Sequence, residues 1–165
     1  MAFEQLEDNE LFFTEFEPKM QNRFYFKLAD LNVPAYLIKS ASRPEINFNT
    51  VELPHINITR KVKGKVSYGD VSLTLYDPIS PSGSQAVMEW VLQHHEPTTG
   101  RDGYADGYKR DVVYNTLDPS GTRIEEWKLK GAFVTSASFN EAGFENDAPF
   151  EINLTLAYDY PVQNY

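Results

Sequence analysis

The strongest constraint on this chain is an alternating run near its C-terminus. After Asp147-Ala148-Pro149, apolar Phe150, Ile152, Leu154 and Leu156 alternate with Glu151, Asn153 and Thr155, before Ala157-Tyr158-Asp159-Tyr160. A period of two puts successive side chains on opposite sides of an extended backbone, so the run predicts a strand with one buried and one wet face. Other stretches can supply its partners. Residues 23–29 alternate Phe24, Phe26 and Leu28 against Tyr25 and Lys27, and 70–77 place Val71, Leu73 and Leu75 on one face. Residues 111–116 and 123–130 flank Asp118-Pro119-Ser120-Gly121, where proline presets φ and glycine suits the last turn position. Trp127 and Leu129 continue one face of the second of these strands. Gly131 interrupts it before 132–139 resume, and is expected to be a bulge or bend. Residues 23–29 and 35–42, joined through Asn32-Val33-Pro34, are expected to pair as a hairpin.

One helix stands out, over about residues 83–95. Ser82-Gly83-Ser84-Gln85 fits a capping box, and Val87, Trp90, Val91 and His94 recur at helical spacing, with Pro97 marking the end. This helix is expected to cover one opening of a sheet core. Residues 98–107 read as a loop by composition. Many short strands, regular turns and a single helix give a mainly β class, an antiparallel two-sheet sandwich or barrel with one flanking α-helix. The expected organisation is an acidic N-terminal arm over 1–21 and a single β domain over 22–165.

Charge separates two segments from the rest. The chain carries −9, of which residues 1–18 contribute −6 through Glu4, Glu7, Asp8, Glu10, Glu15 and Glu17, leaving −3 for the remainder. Such a balance is poor for affinity to a phosphate backbone, which needs clustered Lys and Arg. It permits a surface that lets DNA pass without sticking. Residues 55–68 (HINITRKVKGKVSY) are strand-like yet hold Arg60, Lys61, Lys63 and Lys65 with no acidic residue. Positive charge on a strand of an acidic protein points to an edge or hairpin that meets a partner, with a solvated edge that resists pairing as the alternative. Gly64 or Gly69 is placed to give a turn or bulge beside it. In the acidic arm, Phe12, Phe13 and Phe16 are candidates for docking on a neighbouring subunit.

Catalytic chemistry has little support. The chain has no cysteine, hence no thiol nucleophile or thiolate metal site, and neither a phosphate-binding loop nor a nucleophile elbow occurs. His94 and His95 are adjacent, so on a helix they point apart. Asp102, Asp106 and Asp111 lack the spacing of a calcium loop. Glu125 and Glu126, neighbours on a strand, face opposite sides. No catalytic residue, metal or cofactor is expected. No apolar run approaches the roughly 20 residues of a membrane span, and the acidic N-terminus does not read as a secretory signal.

The order of these features, strand, basic hairpin, DVSLTLYD strand, one capped helix containing MEWVL, loop, paired strands and an FEINLTLAYDY finish, resembles the tail tube proteins of contractile-tailed, T-even type bacteriophages. The resemblance covers about residues 22–160 and is carried best by 22–28, 70–77, 125–131 (EEWKLKG) and 150–160. The acidic lead departs from it. It implies a two-sheet β subunit of hexameric rings that stack into a hollow tube, through which DNA leaves without sequence-specific binding. Tail sheath, baseplate and tape-measure proteins are the implied partners, and the virion the implied location. Type VI secretion tubes and other contractile injection devices share the architecture. Arg60, Lys61, Lys63, Lys65 and Tyr68 are the candidate subunit contacts, through sheet extension. A monomeric carbohydrate-binding β-sandwich is the competing class, supported only by the aromatics and the Asp-containing loop, and an enzyme is disfavoured.

Overall fold

The computed structural model describes residues 17–28, 31, 33–80 and 82–165. The C-terminal alternation becomes β10 (Glu151–Ala157), which lies between β5 (Val71–Tyr76) and β9 (Arg123–Phe139). Its register pairs Ile152 with Leu75 and Leu154 with Leu73, so the apolar faces of the two strands coincide and all four side chains are buried. A slip of one residue would turn every one of them to water. Phe150 falls just outside the ladder and is half-exposed; its carbonyl accepts the Asp77 N–H at 3.0 Å.

The strand that organises the fold is β9, at 17 residues the longest among those described. Its first half pairs with β8 (Arg110–Leu117), and β8 in turn with β1 (Phe24–Leu28). On its other side β10 pairs with residues 133–139, and β11 (Tyr160–Gln163) with residues 127–130. Gly131 sits where one pairing gives way to the other, at φ +64°, a left-handed conformation that costs a side-chain-bearing residue but not glycine. This is the expected bend. It lets one strand serve two antiparallel layers, β1-β8-β9-β11 and β9-β10-β5-β2, with β2 (Ile38–Ala41) on the outer side of β5. The layers close on one apolar cluster that includes Phe26, Val112, Leu129, Leu73, Leu154 and Leu156. The fold is mainly β, antiparallel and sandwich-like, as the sequence leads one to expect.

The hairpin expected between the first two strands does not form. β1 pairs with β8 and β2 with β5, at opposite ends of the strand order. The extended Pro34 feeds a 3-10 turn (Ala35–Leu37), and this corner carries the chain across to the other layer instead of back on itself.

The helix α1 (Gly83–His94) forms where its cap predicts. Ser82 Oγ accepts the Gln85 N–H at 3.3 Å, and Asp77 Oδ1 accepts the Gly83 and Ser84 N–H groups at 3.0 and 3.1 Å, satisfying amides that lack intrahelical partners. Val87 and Trp90 are fully buried, and the Trp90 indole donates to the Tyr108 carbonyl at 2.7 Å. The helix stops at His94, ahead of Pro97, because β6 (His95–Glu96) turns back onto β7 (Arg101–Asp102). Residues 98–107, expected as loop, therefore contain β7 and the start of a one-turn helix, α2 (Ala105–Tyr108).

Candidate functional site

The groups that attract attention as possible chemistry are held apart. His94 packs against Tyr108 with ring centres 4.7 Å apart, near Trp90 and Phe133. Burial lowers its pKa, as does nearby Arg110, against a backbone hydrogen bond to Val134 that raises it. His95 turns the other way, its Nδ1 2.7 Å from Asp102 at the surface. Asp111 instead takes Lys130 at 2.6 Å and Lys128 at 3.5 Å, and the Lys130 hydrogen bond holds its carboxyl below the usual range. Among the described residues, no group of three or more His, Asp or Glu side chains could hold a metal ion.

Glu125 is the buried charge that sequence reasoning missed. It faces the interior at 1% exposure, where Lys19, Arg43 and the Trp127 indole N–H all donate to it. Burial pushes its carboxyl up, but the Lys19 and Trp127 hydrogen bonds and the adjacent Arg43 outweigh that and bring it to about 2. Glu126 points outward to Asn164, at 2.5 Å. The two carboxylates thus lie on opposite faces, as expected. Parity was the overlooked signal, since Glu125 shares its face with Trp127 and Leu129. Its partners belong to the N-terminal lead and to the link entering the basic hairpin, so one carboxylate pins both to the sheet.

That hairpin is the prominent surface feature. The chain leaves β2, donates Ser42 N–H to the Ser72 carbonyl at 2.8 Å, and enters β3 (Glu45–His55); β4 (Ile58–Gly69) returns to β5 across Asp70 alone. The β2–β5 ladder therefore runs on into an arm of two strands, roughly 35 Å long at about 3.3 Å per residue. Nearly every residue of it is exposed. At the root, Tyr68 packs on Tyr158 with ring centres 6.0 Å apart, and the Tyr158 hydroxyl reaches the Glu45 carbonyl at 3.5 Å.

Register assigns its two faces. Val51 lies opposite Val62, Leu53 opposite Arg60 and His55 opposite Ile58, giving one mostly apolar face. On the other, Glu52 opposes Lys61, their charged atoms 3.3 Å apart, and Thr50 opposes Lys63, whose ammonium stands 4.8 Å from the Phe48 ring centre. A register shift between Phe48 and Thr50 sets Asn49 against both Gly64 and Lys65, a bulge at one of the two glycines expected to give a turn or bulge. Among the described residues, neither outer edge of the arm has a strand partner. An isolated two-stranded hairpin is marginally stable in water, and this arm stands with open edges and an uncovered apolar face. The structure thus places Arg60, Lys61, Lys63 and Lys65 along the arm and Tyr68 at its root, while Phe12, Phe13 and Phe16 lie outside the described residues. Strand β3 went unread because Pro54 and an uneven apolar pattern hid it.

No protein-family model matches the chain, and no curated protein matches it. Solved structures do. A chain of the anti-feeding prophage cap (the AFP tube-terminating cap) is 21% identical, with a TM-score of 0.73 over 90% of this chain and 92% of its own. A chain of the PVC sheath/tube terminator, from an extracellular contractile injection system in the extended state, is 17% identical with a TM-score of 0.74, covering 92% and 100%. A chain of the PVC sheath–tube complex is 17% identical with a TM-score of 0.72, covering 97% and 99%. At these identities the likeness is one of fold.

Proposed function

We propose that this chain is a structural, non-catalytic subunit of the inner tube of a contractile phage tail, assembling into hexameric rings that stack around a channel for DNA. The observation that carries the reading is the β3–β4 arm, whose unpaired edges and exposed apolar face require a neighbour, on a fold shared with chains of tube and terminator complexes. In this reading the first neighbour is another copy of the chain, and extension of its sheet by the arm satisfies the open backbone groups of both. Tail sheath, baseplate and tape-measure proteins are the further partners, and the virion is the location. The acidic surplus keeps DNA from adhering to the tube. Negative-stain images and sedimentation velocity over a wide concentration range test the proposal. Rings or tubes are the expected result, and a strictly monomeric species, even with tail components added, removes the reading.

A second reading, the tube subunit of a contractile injection device other than a phage, is favoured by the likeness to the AFP and PVC chains. Nuclease-protected DNA in purified particles supports the first reading, and particles without it support the second.

A further inference from the structure

The two ends of the sheet carry unlike surfaces. The arm leaves from the Val71 end of β5, whereas the loop joining β9 to β10 lies at the Tyr76 end, where Phe150 bonds to Asp77. These ends are roughly 17–20 Å apart along the strand. Residues 140–150 of that loop enclose an open hollow of about 290 Å³. Phe144 stands fully exposed there, Phe150 half-exposed, and Ile79 fully exposed near the same end of β5. The loop contains Glu141, Glu145 and Asp147 and no basic residue. The arm has the complementary make-up, with Arg60, Lys61, Lys63 and Lys65 against Glu52 alone between residues 46 and 68.

The apex of the arm adds an independent observation. Ile56 sits at the first position of the two-residue turn at φ +50°, where glycine or asparagine is the unstrained choice, and its side chain is 90% exposed. A β-branched apolar residue there costs twice in a lone subunit, once in backbone strain and once in exposed apolar surface. Strain of this kind persists where the residue serves a contact.

We infer that the apex of one copy's arm seats in the residue 140–150 hollow of the next copy, with Ile56 against Phe144 and Arg60 and Lys61, the cations nearest the apex, facing Glu141, Glu145 and Asp147. This rests on the tube reading and specifies its contact between stacked rings. Because the two surfaces differ and lie at opposite ends, the contact is head-to-tail, and between stacked rings it repeats along the axis, which produces a stack and not a pair. Apolar burial supplies most of the attraction, while the charges select the partner and its orientation.

The cysteine-free chain makes the test direct. Asn57→Cys places a thiol beside the apex, and Gly143→Cys places one in open space next to Phe144. In assembled mixtures, a short bismaleimide should join the two variants to each other and neither to itself. Ile56→Asn, which relieves the turn, should leave the melting temperature of the unassembled subunit unchanged or higher, yet raise the concentration needed for stacking roughly tenfold or more. Tubes that form without mixed crosslinks, or an Ile56→Asn variant that stacks like the parent, overturn this contact and leave the tube reading standing. A parent protein that never assembles overturns both.

Discussion

A carboxylate on the inner face of a strand must find cations or give up its charge, and Glu125 finds two together with an indole N–H. Glu125→Gln leaves Lys19 and Arg43 facing a neutral group and should cost on the order of 2–3 kcal/mol, discounted because both cations are half-exposed. Urea denaturation of unassembled protein checks it. The pH dependence follows from sign. Because the folded-state pKa of about 2 lies below the ordinary 4.5, the stabilisation is complete above pH 4.5 and is lost as pH falls towards 2. The Gln variant should show a flatter stability profile across that window. Gly131→Ala forces a left-handed φ on alanine and drives a Cβ onto the Asp159 carboxylate, which Lys109 holds at 2.7 Å. Its expected cost is about 1–3 kcal/mol, read as a lowered melting temperature. The bend at Gly131 was legible because glycine breaks an otherwise regular run. The cations of Glu125 were not, since they lie 106 and 82 residues away in sequence.

Elements were legible in proportion to how far local pattern decided them. β10 and α1 announce themselves through periodicity and a cap, each residue agreeing with its neighbours about which side is inside. Partner choice is a different matter, because an alternating strand such as β1 fits β2 or β8 equally well by pattern and only the shared core selects. β11 went unread because Pro161 and the short run over Tyr160–Gln163 carry no alternation of their own; backbone bonds to β9 define it. The arm lies between these cases, since its charge marked it while its first strand stayed hidden. Replacing Lys61, Lys63 and Lys65 with Glu should block tube formation and leave the melting temperature of the unassembled subunit nearly unchanged, because the arm stands clear of the core. Sedimentation beside a thermal melt separates the two effects, and unchanged assembly at low and moderate salt would mean the lysines only deter unwanted pairing.

For the whole molecule, the proposed tube reading makes self-association, not catalysis, the organiser of the surface. The histidines and outer carboxylate, the side chains most like active-site groups, each hold a local partner. Alanine at His94, His95 or Glu126 should therefore leave ring formation and delivery within about twofold of the parent; normal assembly with failed delivery would expose a misread site. The joint between arm and body carries one more consequence. Since β4 continues through Asp70 into β5, and β5 is flanked by β2 and β10, a pull on the tip enters the body partly along the backbone of a middle strand, the rest passing through β3 to the edge strand β2. The force then spreads into two ladders as shear, in which many hydrogen bonds resist together, whereas a strand peeled from an edge loses them one at a time. In the proposed stack, an arm rooted this way can transmit axial tension from ring to ring without unzipping the subunit that bears it.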